Sequence, residues 1–445
     1  MLTNYLKIAL KTFSRNRFYT LVSLFGISFT LMVLMLATAF MDNEWGTNPP
    51  LSNKDKLLII PHMDMRTWKR ESSVHLDTIY LRDSMIVDTT VTEVPIPGVQ
   101  ENFASANMSY NFLKDHISTM KSPEIVSIYA PQIPTEVFPQ EIRMALSVNM
   151  VDENYWKIFD FDFMEGYPHD KTAIDNQSRL IVLTDHTALQ YFGSRESYLG
   201  LEVVRGHEIY EVIGVVRTPN SSSPAVRADA FLPITLMPPH SLKYEFGYFG
   251  GCHAALRAPD KLSREAMTRE LRQIEQNMEM VDGFDVMNFW EKSIADLYAW
   301  PVLGGNNERL GKTLVWIVFG TLGLFVLIPI FNLINLNITR ILERSSEIGV
   351  RKAFGAHTGH LLFQFVYENV LLTLAGGALG FIFSILVMRW FNQIEILGGT
   401  MLEFNIKIFL KSLAITILFG ILSGLLPAWK MARKEIATTL KFNRI

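Results

Sequence analysis

Residues 19–41 read YTLVSLFGISFTLMVLMLATAFM, a run of 23 residues without a charged side chain. At a rise of about 1.5 Å per residue, a helix of this length exceeds the roughly 30 Å hydrocarbon core of a bilayer. A cleaved signal peptide is the alternative. The run is longer than the apolar region of a signal peptide, however, and Met41-Asp42-Asn43-Glu44 offers no small-x-small cleavage site. The run therefore predicts a membrane-spanning helix.

Three further apolar runs occur in the last third of the chain, at residues 313–338, 369–388 and 412–429. The sequence thus predicts a membrane protein with four transmembrane α-helices and a large α+β extracytoplasmic domain between helices 1 and 2. The predicted segments are an amphipathic helix on the cytoplasmic face at 1–18, spans at 19–41, 312–338, 361–388 and 409–429, outer segments at 42–311 and 389–408, a cytoplasmic loop at 339–360 and a cytoplasmic tail at 430–445. A simple basic leader is the alternative for 1–18.

Charge is distributed unevenly along the chain, although the formal net charge is only −3. Residues 1–18, 339–360 and 430–445 together contain 13 basic and 3 acidic residues, whereas residues 42–311 contain 24 basic and 38 acidic residues. Short segments rich in Lys and Arg remain in the cytoplasm. We therefore expect both termini in the cytoplasm and residues 42–311 on the outer side.

The overall composition excludes two classes of protein. No basic excess is present to neutralise phosphates, so nucleic acid is not expected as a partner. Cys252 is the only cysteine, so no disulfide can form within the chain, and we expect its thiol to serve as inert packing.

The outer segment contains signals for both strands and helices. Alternating or β-branched stretches predict strands at 57–60, 86–94, 125–129, 142–151, 180–183 and 209–216. Helices are predicted at 184–192, between a Thr184 cap and Gly193, and at 263–280. Residues 219–224, with three serines between prolines, are expected to form a mobile loop.

The cytoplasmic loop has the spacing of one helical face. Glu343, Glu347 and Arg351 recur every four residues, and Glu347 with Arg351 forms the favourable acid-first pair. Gly355 is suited to end this helix in a left-handed conformation. A rigid charged helix between two spans can transmit a push from a cytoplasmic partner. The alternative, from charge alone, is a solvated turn.

The spans contain polar and small residues with specific consequences. Glu368 is an ionisable group at membrane depth, so it is a functional candidate, with structural packing near the interface as the alternative. Two GxxxG pairs allow close helix packing or dimer contact. Pro329 is expected to bend the second span because it lacks an N–H. The GxxxG glycines are Gly376, Gly380, Gly420 and Gly424.

Several stretches together resemble a known family. Residues 149–166, NMVDENYWKIFDFDFMEG, and residues 180–193, LIVLTDHTALQYFG, are similar to the ectodomains of MacB-type transporters. Residues 343–356, ERSSEIGVRKAFGA, resemble the signature of FtsX-like permeases, and PAWKMAR at 427–433 extends that resemblance. It implies that an ATPase docks on Glu343, Arg344, Glu347, Ile348, Gly349, Arg351, Lys352 and Gly355.

The resemblance implies a permease subunit of an ABC transporter in a bacterial inner membrane, with the outer domain in the periplasm. Its implied partners are a separate ABC ATPase, a second permease in a homo- or heterodimer, membrane lipid, and as a further candidate a periplasmic adaptor with an outer-membrane channel. ATP and Mg would be bound by the ATPase, since this chain begins only 18 residues before its first span. The alternative is an FtsX-like signalling or scaffold protein that regulates an envelope enzyme such as a cell-wall hydrolase.

Other motifs do not support catalysis in this chain. Residues 305–313, GNNERLGKT, differ from a phosphate-binding loop because five residues rather than four separate the glycines. His357 and His360 have no further ligands at zinc-site spacing, so no metal site is expected. The chain is therefore expected to be a non-catalytic membrane subunit.

Overall fold

The computed structural model describes residues 11–324 except 12, 16, 47, 82–83, 222, 244–247, 281–283, 295, 298–310, 319 and 322; it also describes 358–394 and, further on, 402, 406–407, 409–411, 413–414, 417–418 and 421. The chain divides into two compact units, which we describe separately. The membrane unit comprises Met1–Gly46 and Thr313–Ile445, and the outer unit comprises Thr47–Lys312.

The first and the last of the following helices belong to the membrane unit, and the remaining helices and all the following strands belong to the outer unit. The helices are α1 Arg17–Trp45, α2 Tyr110–Phe112, α3 Tyr155–Ile158, α4 Lys171–Asp175, α5 Asp185–Phe192, α6 Pro239–Leu242, α7 Arg264–Asn277 and α8 Thr358–Ile394. The strands are β1 Leu57–Ile60, β2 Met63–Leu81, β3 Ser84–Ala106, β4 Ile125–Val137, β5 Met144–Val151, β6 Phe163–Gly166, β7 Leu180–Thr184, β8 Glu202–Arg205, β9 Glu208–Val216, β10 Ala230–Pro233, β11 His253–Arg257 and β12 Val286–Phe289.

Among the described residues of the membrane unit, two helices are long and apolar enough to cross a bilayer, by length and composition. They are Thr20–Phe40 within α1 and Val366–Ile394 within α8. The described residues of 311–324 and 406–421 are also helical, but much of the predicted spans 312–338 and 409–429 lies outside the described residues. The count of four spans therefore remains a prediction.

Helix α8 extends beyond both predicted ends of the third span. It begins three residues before 361 and continues six residues past 388, into the stretch predicted as an outer loop. The prediction ended the span at Arg389 because a charge ends the membrane-embedded part of a helix, but a charge does not end the helix itself. At the far end, the Asn392 side chain accepts from the Leu402 N–H at 2.9 Å and donates to the Leu402 carbonyl at 3.1 Å.

The outer unit contains a nine-stranded mixed sheet. Its strand order is β1-β11-β4-β5-β10-β7-β9-β6, with β8 paired to β9. The pairs β5–β10 and β7–β9 are parallel. Both faces are covered: in β1, Leu58 and Ile60 belong to one apolar cluster and Leu57 and Ile59 to another. A sheet buried on both faces favours continuous apolar runs, which is why several of its strands were predictable.

A second sheet of the outer unit has the order β12-β2-β3. Strands β2 and β3 pair along nearly their whole length, from Met63 opposite Ala106 to Leu81 opposite Ser84. The predicted strand 86–94 is the middle of β3, whereas β2 was not predicted. The ladder is irregular at Trp68, opposite a bulge in β3 that contains Gly98 at φ +86°. We call the β2–β3 hairpin beyond this bulge the ribbon.

The structure confirms two helix predictions and corrects one loop prediction. Helix α5 begins after a Thr184 side chain that accepts from the Thr187 N–H, and it ends at Gly193 with φ +70°. Helix α7 lies within the predicted 263–280. The stretch predicted as a mobile loop is instead packed: Ser221 and Ser223 are buried, since the neighbouring Ala225 is held in the core.

A buried carboxylate ties two strands of the large sheet together. Asp152, directly after β5, accepts hydrogen bonds from the Ser127 hydroxyl at 2.6 Å and the Ile128 N–H at 2.7 Å, both on β4. It also accepts from the N–H groups of Asn154 and Tyr155, so it caps the turn into α3. Burial raises the pKa of Asp152 to about 7, and these hydrogen bonds oppose the rise.

We predict that Asp152→Ala lowers the free energy of unfolding of the outer unit by about 3–5 kcal/mol, because it leaves four donors, three of them buried, without this partner. Denaturant unfolding of the full chain in detergent, followed by near-ultraviolet circular dichroism, measures this loss. Asp162→Ala is the control: that carboxylate is exposed and pairs with Arg217 at 2.9 Å, so its loss is below about 1 kcal/mol. Equal losses in the two variants would contradict the stabilising role of the Asp152 carboxylate.

Candidate functional site

The predicted ATPase-coupling residues lie outside the described residues. These are Glu343, Arg344, Glu347, Ile348, Gly349, Arg351, Lys352 and Gly355. Pro329, Gly420 and Gly424 lie outside them as well. The described part of the predicted site is therefore the polar and glycine face of α8, on Glu368, Gly376 and Gly380.

The two described GxxxG glycines pack against α1 of the same chain. A Cβ added at Gly376 would lie 2.6 Å from Ile27 Cγ2, and one added at Gly380 would lie 2.8 Å from the backbone oxygen of Ser28. Real Cβ atoms do not approach other atoms so closely, so only glycine permits this helix contact. The sequence left open whether these glycines serve close helix packing or dimer contact. At Gly376 and Gly380 the structure shows close packing within the chain.

Helix α8 carries a buried stripe with a spacing of four residues. Its members are Glu368, Leu372, Gly376, Gly380, Ser384 and Met388. Leu372 packs with Ile27 and Leu24 of α1, and Met388 packs in the cluster that contains Leu31 and Met35. Later positions on α8 thus meet later positions on α1, so the two helices run parallel. Rows of residues four apart are the ridges that interlock in the commonest helix packing.

Glu368 lies on this buried stripe rather than on a lipid-facing side of α8. Its exposed fraction is 7%, and it precedes Leu372 by one turn. The sequence had suggested a position near the membrane interface and a packing role as one alternative. The burial places its carboxyl group inside the helix assembly, on the same face as the glycines.

A second cluster of functional interest joins the two sheets of the outer unit. His62 lies in the link between β1 and β2, His253 begins β11, and Trp290 follows β12. The ring centroid of His62 lies 5.9 Å from that of His253 and 5.7 Å from that of Trp290. The ring centroids of His253 and Tyr129 of β4 lie 5.5 Å apart. We call these four residues the joint. Sequence analysis missed it, because its members are far apart in the chain.

The joint is built for neutral imidazoles. Burial, with a smaller contribution from the nearby His62, lowers the pKa of His253 to about 3. The pKa of His62 is also lowered, chiefly by burial, while a hydrogen bond with Asn107 opposes the shift. Protonating either histidine would put a charge into a packed aromatic cluster.

The described residues show no arrangement for metal binding or a reactive thiol. Within the described ranges, no group of three or more His, Cys, Asp or Glu side chains is placed to hold a metal ion. Cys252 is fully buried, and burial raises the pKa of its thiol to about 12. The inert packing role predicted for this cysteine agrees with both observations.

We predict that Gly380→Ala destabilises the membrane unit by about 1–3 kcal/mol, because the added methyl group forces the α1 and α8 backbones apart. The loss is measured by unfolding of the full chain in mixed micelles. Gly320→Ala is the matched control, since a Cβ there meets no described atom within 4 Å. A loss at Gly380 no larger than that at Gly320 would contradict the close contact.

We predict that acid destabilises the outer unit through the joint. The unfolded chain binds a proton at His253 below about pH 6.5, whereas the folded chain does not until about pH 3. Each such histidine lowers the free energy of unfolding by about 1.4 kcal/mol per pH unit as the pH falls through that window. Between pH 6 and 4.5, His253→Gln should therefore reduce the slope of the free energy of unfolding against pH by about 1.4 kcal/mol per pH unit.

The opposite contribution of Asp152, whose raised pKa stabilises the folded state as the pH falls towards 4, is common to both proteins and cancels in the comparison. Tyr129→Phe is the control, because it alters the same cluster but keeps both histidines. It should retain the slope of the unmodified chain. A His253→Gln slope equal to that of Tyr129→Phe would exclude His253 as the titrating group.

Family profiles match both parts of the chain. The profile of the MacB-like periplasmic core domain matches residues 20–274, and the profile of the FtsX-like permease C-terminal domain matches residues 319–436. These two regions correspond to the two stretches for which the sequence resemblance was noted.

Curated relatives carry the same family name. The macrolide export ATP-binding/permease protein MacB 1 of Aeromonas hydrophila is 25% identical over 289 residues, which cover 65% of this chain and 42% of that protein. MacB of Acinetobacter baylyi is 21% identical over 361 residues, covering 80% and 52%. MacB of Escherichia coli K12 is 24% identical over 333 residues, covering 72% and 47%. The chain spans about half the length of the curated relatives it matches.

Solved structures give weaker matches. A domain of a permease protein from Porphyromonas gingivalis matches with a TM-score of 0.37 and 14% identity, covering 55% of this chain and 92% of that one. The periplasmic region of MacB from Actinobacillus actinomycetemcomitans matches with a TM-score of 0.32 and 14% identity, covering 43% and 82%. These scores are too low to support a detailed structural correspondence.

The assignment to a family therefore depends on the two profiles. Members of this family are inner-membrane permeases with a periplasmic α+β domain, and they work with ATPase partners. Since the MacB-like profile alone matches more than half of the chain, the protein belongs to the MacB/FtsX-like ABC transporter permease family.

Proposed function

We propose that the chain is the membrane subunit of a MacB-like ABC transporter and transmits ATP-driven motion of a separate ATPase to its own periplasmic domain. One observation carries the proposal: a MacB-like profile at 20–274 and an FtsX-like permease profile at 319–436 occur together on one chain. In this arrangement ATP and Mg are bound by the partner ATPase, and the chain itself is not catalytic.

The coupling route follows the covalent chain and one helix contact. The loop at 339–360 meets the ATPase and leads directly into α8, which begins at Thr358. Close packing at Gly376 and Gly380 passes movement of α8 to α1, because side chains cannot slip between two backbones in contact. Helix α1 ends at Trp45, and the outer unit begins at Thr47. Motion at the cytoplasmic loop thus reaches the start of the outer unit through two stiff helices.

The assembly contains two permeases, and both termini of each lie in the cytoplasm of the bacterial inner membrane. The relatives above are named for macrolide export. For this chain the substrate class is an exported or extracted peptide, drug, lipid or lipoprotein, and a periplasmic adaptor with an outer-membrane channel is a further partner. Membrane lipid surrounds the spans.

An FtsX-like regulator of an envelope enzyme is the second candidate function, and it is compatible with the permease profile at 319–436. The match of residues 20–274 to the MacB-like core domain favours transport. The two functions differ in the result of ATPase activity. Transport moves a substrate, whereas regulation changes the activity of a cell-wall hydrolase.

We predict that Glu347→Lys combined with Arg351→Glu reduces stimulation of the partner ATPase about ten-fold or more, equivalent to about 1.4 kcal/mol of coupling free energy. The swap keeps an oppositely charged pair at i, i+4 but inverts the surface presented to the ATPase. ATP turnover is measured for candidate ATPases co-purified with the full chain in nanodiscs, with and without the chain.

The control is the same kind of swap at an exposed ion pair of the outer unit, Arg179 with Glu208, whose side chains lie 3.2 Å apart. Arg179→Glu combined with Glu208→Arg should keep the ATPase stimulation. Unchanged stimulation in the Glu347 and Arg351 variant would remove the coupling role from this loop.

A further inference from the structure

Among the described residues, both edges of the ribbon lack a further partner strand, on β2 at residues 71–81 and on β3 at residues 84–94. Strand β12 pairs with β2 only from Met63 to Arg66. Beyond it, the Asp285 carboxylate accepts from the Trp68 N–H and from the Arg70 guanidinium, both at 2.8 Å. From residue 71 to 81, no third strand pairs with β2 among the described residues.

The open edge of β2 carries the charged residues Glu71 and Asp77 but lacks two other features that normally prevent strand pairing. Residues 71–81 read ESSVHLDTIYL, a β-rich stretch with neither lysine nor proline. Natural edge strands are usually blocked by such residues or by bulges. On β3 such devices occur at the base of the ribbon, as Pro95, Pro97 and the bulge at Gly98, and residues 84–94 are as open as residues 71–81. A two-stranded hairpin alone is only marginally stable in water, so the open edge favours a partner strand.

The open edge of β2 is complementary to the same edge of a second copy. Two copies related by a two-fold axis pair antiparallel. The residue numbers of any two facing residues then add up to the same even number. Pairing the whole of 71–81 with the same edge of a second copy puts Leu76 opposite Leu76. The same register puts His75 of each copy opposite Asp77 of the other, so an imidazole faces a carboxylate on both sides of the axis.

Other two-fold registers are less favourable. Centring on Asp77 would place two aspartates opposite each other, which is destabilising. Centring the pairing on Ser73 would place the end of the second copy's strand against the part of β2 that Asp285 already contacts, at Trp68 and Arg70. Within one ribbon the backbone register places Asp77 opposite Asp88.

We propose that residues 71–81 of two copies of this chain pair antiparallel about Leu76 and join the two ribbons into one four-stranded sheet. The proposal deepens the two-permease assembly of the proposed function by naming the contact on the outer side. The partner is a second copy, because the register that uses the full edge also places the imidazole of each copy opposite a carboxylate of the other.

Cysteine cross-linking of the full chain in membranes tests the proposal. The single native cysteine, Cys252, is buried, so the unmodified chain provides a low background. In the paired sheet the two copies of Leu76 are neighbours, within the Cα separation of about 4.4–6.8 Å that a disulfide requires. Leu76→Cys should therefore give a disulfide-linked dimer on mild oxidation with copper phenanthroline.

Thr89→Cys is the matched control, because Thr89 lies opposite Leu76 on β3. Its two copies would be three strand spacings apart, about 14 Å, beyond disulfide reach. His75→Cys and Asp77→Cys should cross-link to each other when co-expressed, and each should link poorly to itself. The doubly substituted chain, with His75→Asp and Asp77→His, should keep the dimer, whereas Asp77→Lys alone should lose it.

The outcomes separate this proposal from the proposed function. Cross-linking at Leu76 but not at Thr89, with the His75 and Asp77 pair linking only to each other, supports the paired sheet. A chain that is dimeric by mass measurement but does not cross-link at Leu76 overturns the ribbon contact and leaves the permease assembly intact. Cross-linking at Leu76 in a chain that stimulates no ATPase would keep the contact and refute the transport function instead.

Discussion

The membrane unit depends on two positions at which no side chain is present. At Gly376 and Gly380 the backbones of α8 and α1 approach so closely that even a methyl group would meet Ile27 or the Ser28 carbonyl. Lipid supplies no hydrophobic drive for two apolar helices to associate, so their contact energy comes from dense packing over a wide area. The four-residue spacing of the buried stripe on α8 extends this contact from Glu368 to Met388. The proposed transmission of motion requires helices that resist deformation, and close backbone packing provides that resistance.

The outer unit achieves its stiffness by different means, because it folds in water. Its large sheet is covered by apolar side chains on both faces, and Asp152 fixes the geometry between β4 and the turn into α3 through four hydrogen bonds. The second sheet is attached through the aromatic joint around His62, and Asp285 fixes the base of the ribbon within that sheet. Buried imidazoles are acceptable in the joint only when neutral, so this attachment is expected to weaken in acid.

Local signals in the sequence were sufficient for part of this structure. The apolar runs of β1 and β7 are visible as strands, and α5 carries both of its end signals, the Thr184 cap and Gly193. Strand β2 was not predictable, because residues 63–68 mix Met, Asp, Arg and Trp without a clear pattern and become a strand through pairing with β3. The GxxxG spacing predicted close packing, but which helix meets Gly376 is decided by the folded chain. Asp152 acts through Ser127, 25 residues away, and no local pattern reveals such a partner.

The ribbon shows how stability and function are linked in this chain. A ladder that extends from Trp68 to Leu81 beyond the cover of β12 exposes backbone groups that a self-sufficient domain would protect. Val94, Val99 and Phe103 on β3 are exposed as well, with exposed fractions of 54%, 45% and 50%. Such a hairpin gains little stability from its own two strands, so its pairing free energy is best supplied by an assembly partner. An extension of this kind is rigid only when it is engaged, and engagement between two copies would connect the outer units of two permeases.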